Sequence, residues 1–225
     1  MGQQINLNTA GMHCIGAYLA KPEGEPKGGI VVVQEIFGIN AHIRSVADSF
    51  ARHGYTAIAP AFFDHVESGV ELGYDESGYQ QGFKLSGEVG LDRAVEDVAS
   101  AAEAIASSGK IGVIGYCWGG TVALLAAQRL GMPSVSYYGA RNKAYLNEPL
   151  KAPMIFHFGE NDQSIPAEVI QQHRESWPDA PVYVYPGTGH AFNRDVDPKV
   201  YNAAAAQLAL ERTLAFFDKH LAGGT

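Results

Sequence analysis

Short, nearly continuous apolar runs recur along the chain at 30–33, 55–59, 111–114, 135–138, 154–158 and 182–185, each bounded by Gly or Pro. Runs rich in Val, Ile and Tyr that do not alternate with polar residues fit parallel strands buried on both faces. Between them, 41–53, 91–107, 118–130, 167–177 and 200–221 carry apolar residues at helical spacing. This alternation predicts the α/β class, with a mostly parallel twisted sheet and helices on both faces. Within the first twenty residues, 14–19 reads as a further strand and predicts antiparallel pairing at one edge. The glycine-rich stretch 66–88 has no clean period and reads as a loop or short-helix excursion over a site. No repeat, linker or low-complexity tract divides the chain, so a single domain over 1–225 is expected.

Composition narrows the partners. Lys plus Arg number 16 against 24 Asp plus Glu, a net charge of −8, and no basic block is present. A phosphate backbone or an anionic lipid surface would find no electrostatic footprint here. The first twenty residues show no basic start followed by a long apolar stretch, and no run approaches the ~18 apolar residues of a membrane span, so neither export nor a membrane span is expected. A cytoplasmic protein, monomeric by default, is therefore expected. The two cysteines, Cys14 and Cys117, are too few for a disulfide framework and read as free thiols.

One of those thiols sits in a telling context. Gly115-Tyr116-Cys117-Trp118-Gly119-Gly120 follows a predicted strand and opens a predicted helix. This is the pattern of a nucleophile elbow, with Cys where Ser is more usual. Such a turn strains the central residue and lifts it to the end of the strand. There the helix N-terminus favours a negative sulfur, and the Trp118 N–H is placed to bind a developing oxyanion. Read without that context, Cys117 would be a small buried hydrophobe.

An elbow nucleophile needs a base and a carboxylate, which in this architecture follow it in the order carboxylate, then histidine. Asp162 and Glu160 lie just after the 154–158 strand, and His190 lies just after the 182–185 strand. Asp162 is the preferred partner and Glu160 the competitor; His190 would take the thiol proton while Asp162 holds its tautomer. Alternatively, Asp162 caps the helix that begins near Pro166. Of the other histidines, His157 falls inside a strand, while His13, His42, His53, His65, His173 and His220 read as solvated helix or loop positions. No histidine shows a zinc spacing, so neither metal nor cofactor is expected. After the 30–33 strand comes Gln34-Glu35-Ile36-Phe37-Gly38, where the second oxyanion donor, the Ile36 N–H, is expected. Glu35 reads equally as an acceptor for the thiol S–H or as a surface carboxylate at a strand end.

Taken with Ile39-Asn40, Tyr137-Tyr138-Gly139 and Gly189-His190-Ala191-Phe192-Asn193-Arg194, these elements resemble the dienelactone hydrolase family, thiol hydrolases of the α/β-hydrolase fold. The resemblance implies a Cys117, Asp162, His190 triad, with Glu35 holding the resting thiol. It also implies a small carboxylated enol-lactone as substrate, opened through an acyl-enzyme to maleylacetate, with Arg194 and Tyr138 in the substrate site. Where family members with that substrate carry a second arginine, this chain has Tyr79, and Ser86 stands where an aromatic is usual. One arginine holds a carboxylate less firmly than two. The expected function is thus a cofactor-independent thiol hydrolase of small esters or lactones. The alternatives are an esterase for a less charged ester and a non-catalytic binding protein on the same scaffold. A redox sensor at Cys117 ranks last, because Cys14 is remote in sequence and no resolving cysteine is evident.

Overall fold

The computed structural model describes residues 2–222, so Met1 and 223–225, the ends of the expected domain, lie outside the described residues. Two compact units emerge, one of residues up to 113 with 221 and 222, the other of 114–220.

In the first unit, strands β1 (Gln3–Thr9), β2 (His13–Ala20), β3 (Gly29–Val33) and β4 (Thr56–Pro60) lie in the order β1-β2-β4-β3. β2 runs antiparallel to both β1 and β4, which is the edge pairing the sequence predicts, and β3 runs parallel to β4. Every residue of β3 and β4 is buried, whereas β1 alternates between exposed and buried positions. The continuous apolar runs thus mark strands covered on both sides and the alternating run marks the edge.

Helix α1 (Ala41–Arg52) begins at Asn40, whose side-chain oxygen accepts the Ile43 N–H at 3.3 Å. Its inward stripe is His42, Ile43, Val46, Ala47 and Phe50. The stretch expected to be a loop or short helix instead carries the 14-residue helix α2 (Glu76–Val89), capped by Asp75 through the Gly78 N–H at 2.8 Å. Its glycines weaken the helical signal and also explain the packing. A Cβ on Gly82 would lie 2.1 Å from the Ile36 carbonyl oxygen, so the helix backbone comes against the loop after β3 only because that Cβ is missing. Helix α3 (Leu91–Ala104) follows directly.

Strand β5 (Ile111–Tyr116) carries the chain into the second unit, where the order is β5-β6-β7-β8 with β6 (Ser134–Tyr137), β7 (Met154–Gly159) and β8 (Val182–Tyr185). The β6–β7 and β7–β8 pairs are parallel. Helix α4 (Trp118–Leu125) is buried on every side and continues into a π turn at Ala126–Leu130; α5 (Ala167–Ser176) and α6 (Ala203–His220) complete the unit. A helix apolar all round is a core helix. Among the described residues no helix is long and apolar enough to cross a membrane.

Beneath β6, β7 and β8 lies a buried polar chain. Thr213 Oγ1 on α6 is 2.9 Å from the Tyr137 hydroxyl and 3.1 Å from His157 Nε2, and His157 Nδ1 is 2.8 Å from the Tyr185 hydroxyl. Burial, with Arg212 nearby, pushes the His157 imidazole down to about 3, so it is neutral at ordinary pH. Three histidines expected to be solvated are not. His42 and His173 are buried on inward helix faces, and the His65 side chain is 5% exposed and sits 2.9 Å from the Asp97 carboxylate. His173 packs edge-on against Phe156, and its Nδ1 is 2.7 Å from the Val169 carbonyl.

Candidate active site

The predicted elbow is built by β5, Cys117 and α4. Cys117 has φ 56° and ψ −115°, a left-handed conformation that costs a non-glycine residue of order 1–3 kcal/mol and is held only where its surroundings enforce it. Here the enforcement is visible. The Cys117 N–H donates to the Tyr137 carbonyl at 3.0 Å, and the Gly120 N–H donates back to the Cys117 carbonyl at the same distance. A Cβ on Gly115 would fall 1.8 Å from the Gly119 carbonyl oxygen, so glycine is required for the turn to close. The sulfur stands at the first turn of α4 and is partly accessible.

Loops at the same ends of the neighbouring strands carry the two predicted partners, His190 and Asp162. His190 Nδ1–H donates to Asp162 Oδ2 at 2.7 Å, which leaves Nε2 for the sulfur. The same imidazole is hydrogen-bonded to Cys117. The Asp162 side chain is fully buried, while that of His190 is 27% exposed. Burial alone would lower the imidazole's affinity for a proton, but the Cys117 sulfur and the Asp162 carboxylate outweigh it and hold His190 well above its ordinary value.

Asp162 also accepts the Ser164 N–H on Oδ1 at 2.8 Å. It therefore fixes its own turn and orients His190 at once, but it does not cap α5, whose N-cap is Pro166 and has no side-chain cap hydrogen bond. The competitor Glu160 is exposed and accepts the Gly187 N–H at 2.8 Å, which occupies it away from the imidazole.

Tyr138 is buried with φ 40°, its N–H donating to the His157 carbonyl at 2.8 Å and its ring 5.0 Å from that of His190. It packs directly on the His190 ring, a contact that the sequence did not suggest. Arg194 is buried, at 1% exposure, and its Nη1 lies 3.3 Å from Asp197 Oδ2.

Glu35, Ile36 and Tyr79 belong to the first unit. Glu35 and Ile36 are buried immediately after β3, so Glu35 is not a surface carboxylate, and Gln34 Nε2 donates to its backbone carbonyl at 3.1 Å. Tyr79 lies on α2 with its ring 5.0 Å from Phe37, which Tyr74 flanks at 4.8 Å. Ser86 is buried, its hydroxyl donating to the Phe83 carbonyl at 3.1 Å. Among the described residues no group of three or more His, Cys, Asp or Glu is arranged to hold a metal ion.

Comparison with known proteins identifies the family. The model of the dienelactone hydrolase family matches residues 15–221. The chain belongs to the dienelactone hydrolase family. Carboxymethylenebutenolidase of Pseudomonas putida is 34% identical over 223 residues, covering 94% of each chain. Among solved structures, a putative dienelactone hydrolase from Klebsiella pneumoniae superposes with a TM-score of 0.86 at 26% identity, over 98% of this chain and 99% of the other. A dienelactone hydrolase-like promiscuous phosphotriesterase from metagenomic libraries superposes with a TM-score of 0.79 at 19% identity, over 99% of each chain, and shows the fold alone. As a dienelactone hydrolase family member the chain has the α/β-hydrolase fold and is a carboxylic ester hydrolase.

Proposed function

We propose that the protein opens a small carboxylated enol-lactone, of the dienelactone kind, through an acyl-cysteine intermediate formed on Cys117. The observation that carries this reading is the His190 imidazole bonded at once to the Asp162 carboxylate and to the Cys117 sulfur. The thiolate attacks the lactone carbonyl, forming the C–S bond while the carbonyl oxygen takes the negative charge. Collapse breaks the ring C–O bond, and the leaving enolate oxygen takes its proton from the His190 imidazolium. His190, now neutral, removes a proton from the water that cleaves the thioester, and returns that proton to sulfur. The Trp118 N–H at the start of α4 serves the oxyanion. By the family resemblance the Ile36 N–H is its second donor and Glu35 accepts the resting thiol proton. Arg194 and Tyr138 would serve the substrate.

A second reading, a thiol esterase for a less charged ester, is favoured by two residues. Tyr79 stands in place of a second clamp arginine, and Arg194 already has a carboxylate partner in Asp197. Turnover of cis- and trans-dienelactone beside p-nitrophenyl acetate, with Cys117→Ala as control, separates the two. Lactone opening lost in the variant supports the first reading. Turnover of the uncharged ester alone supports the second, and turnover by Cys117→Ala equal to the wild type would overturn both.

A further inference from the structure

Away from the catalytic thiol, the second unit carries a groove of about 970 Å³ at the opposite ends of β7 and β8. Met154 and Ile155, which open β7, and Pro181 and Tyr183, at the start of β8, line it. Asp162 and His190 follow the far ends of these same strands, and a six-residue strand spans roughly 20 Å. The groove is therefore distinct from the site of the triad, and its volume lies within the range of small-ligand sites, ~300–1,000 Å³.

Three features make it a built site rather than a gap between loops. Its floor and walls are apolar, with Met154, Ile155, Trp177 and Phe216 all buried at its edge. Its loops are fixed: Pro149, Pro153, Pro178 and Pro181 line it, the Trp177 indole N–H donates to the Glu148 carbonyl at 3.1 Å, and Gln128 Nε2 donates to the same carbonyl at 3.0 Å. A preformed wall loses little conformational entropy when a ligand enters. Third, α6 presents Arg212, Ala215, Phe216 and Lys219 to it, a spacing of three, four and seven that places them on one helix face.

Neither of those two cations is in an ion pair with a described carboxylate. The Arg212 guanidinium lies 4.3 Å above the Tyr183 ring and is hydrogen-bonded with the Tyr185 side chain, so it is held in place with charge unanswered. Lys219 is exposed. Of the carboxylates lining the groove, Glu148 is 3.8 Å from Arg129, and Asp179 is exposed.

We infer that this groove is a second, non-catalytic binding site for an amphiphilic carboxylate, an apolar aliphatic or aromatic body carrying one anionic head. The body lies against Trp177 and Phe216, and the head meets Arg212 and Lys219. A planar arginine fork fixed over a tyrosine suits a carboxylate better than a neutral alcohol or a cation.

Isothermal titration of sodium decanoate into protein whose Cys117 has been blocked with iodoacetamide tests this without occupancy of the thiol. One saturable site is expected below the micellar range of the probe, with decanol about tenfold weaker. Lys219→Gln, at an exposed position, should weaken decanoate severalfold and leave decanol unchanged. Ala215→Trp should fill the groove and abolish binding of both probes while ester turnover by the unblocked enzyme stays at the wild-type level. Absence of a saturable site, equal affinity for decanoate and decanol, or decanoate binding undiminished in Ala215→Trp would each overturn the assignment.

Discussion

His190 and His157 belong to adjacent strands of one unit, the first in the loop after β8 and the second inside β7, and each is bonded through Nδ1 to an oxygen. Burial acts on both in the same direction, against the charged imidazolium. They nonetheless end far apart. His190 faces a carboxylate and a thiol and is held well above its ordinary value, whereas His157 faces the Tyr185 and Thr213 hydroxyls with Arg212 nearby and is pushed down to about 3. The sign of the partners, not the depth of the ring, separates an imidazole that holds its proton from one that stays neutral.

The largest expected effect falls on the His190 side. Cys117→Ala should reduce kcat/KM by a factor on the order of 10⁵–10⁶, the cost of removing a nucleophile from a triad, with denaturant midpoint close to that of the wild type. Asp162→Asn should follow at about 10⁴, because an amide still accepts the Ser164 N–H but no longer stabilises the imidazolium or dictates its tautomer. Glu160→Gln, at a residue facing the Gly187 N–H, should stay within about twofold. A loss at Glu160 equal to that at Asp162 would mean that the carboxylate is wrongly assigned.

Which parts of this arrangement were legible beforehand follows from the physics of each residue. The elbow was readable because its constraints are local: a strained Cys117 tolerates almost nothing but glycine at 115, and that leaves a mark in six residues. The parallel strands were readable because burial on both faces removes the alternation of an exposed strand. Asp162 and Glu160 were harder to separate, since both follow β7 and only the three-dimensional turn shows which one reaches His190. Helix α2 was hidden by Gly78 and Gly82, residues that a close backbone approach demands and that blur the helical period. The inward place of His173 does leave a signal in the sequence: it stands four residues after Val169 and three after Ile170, on the same inward face. His65 offered no such signal, because its partner Asp97 comes from a different element.

On the His157 side the expected effects invert, with stability affected and chemistry spared. Thr213→Val removes the hydroxyl shared by Tyr137 and His157 and leaves two buried groups short of a partner. A loss of about 1–3 kcal/mol in chemical denaturation is expected, with kcat changed less than about threefold. If kcat fell as far as in Asp162→Asn, the polar chain would be part of the catalytic apparatus and the contrast between the two histidines would fail.

The sharpest discriminator is the pH dependence of stability. His157 has a folded value of about 3, below the value near 6.5 of an exposed imidazole, so between those limits the unfolded chain binds a proton that the folded chain refuses. Its contribution is therefore present above about pH 6.5 and is lost as pH falls towards 3. His190 has its folded value raised, so its contribution is complete below about pH 6.5 and is lost as pH rises through that higher value. Each group adds a slope of at most about 1.4 kcal/mol per pH unit, of opposite sign. Denaturant midpoints measured against pH should show His157→Gln flattening the acid side alone and His190→Gln flattening the alkaline side alone. The same elevated His190 value should set the alkaline limb of kcat/KM, since loss of that proton removes the acid that protonates the leaving oxygen. An alkaline limb in kcat/KM near pH 6.5 would place His190 at its ordinary value, and the Cys117 and Asp162 partners would then not be what holds its proton.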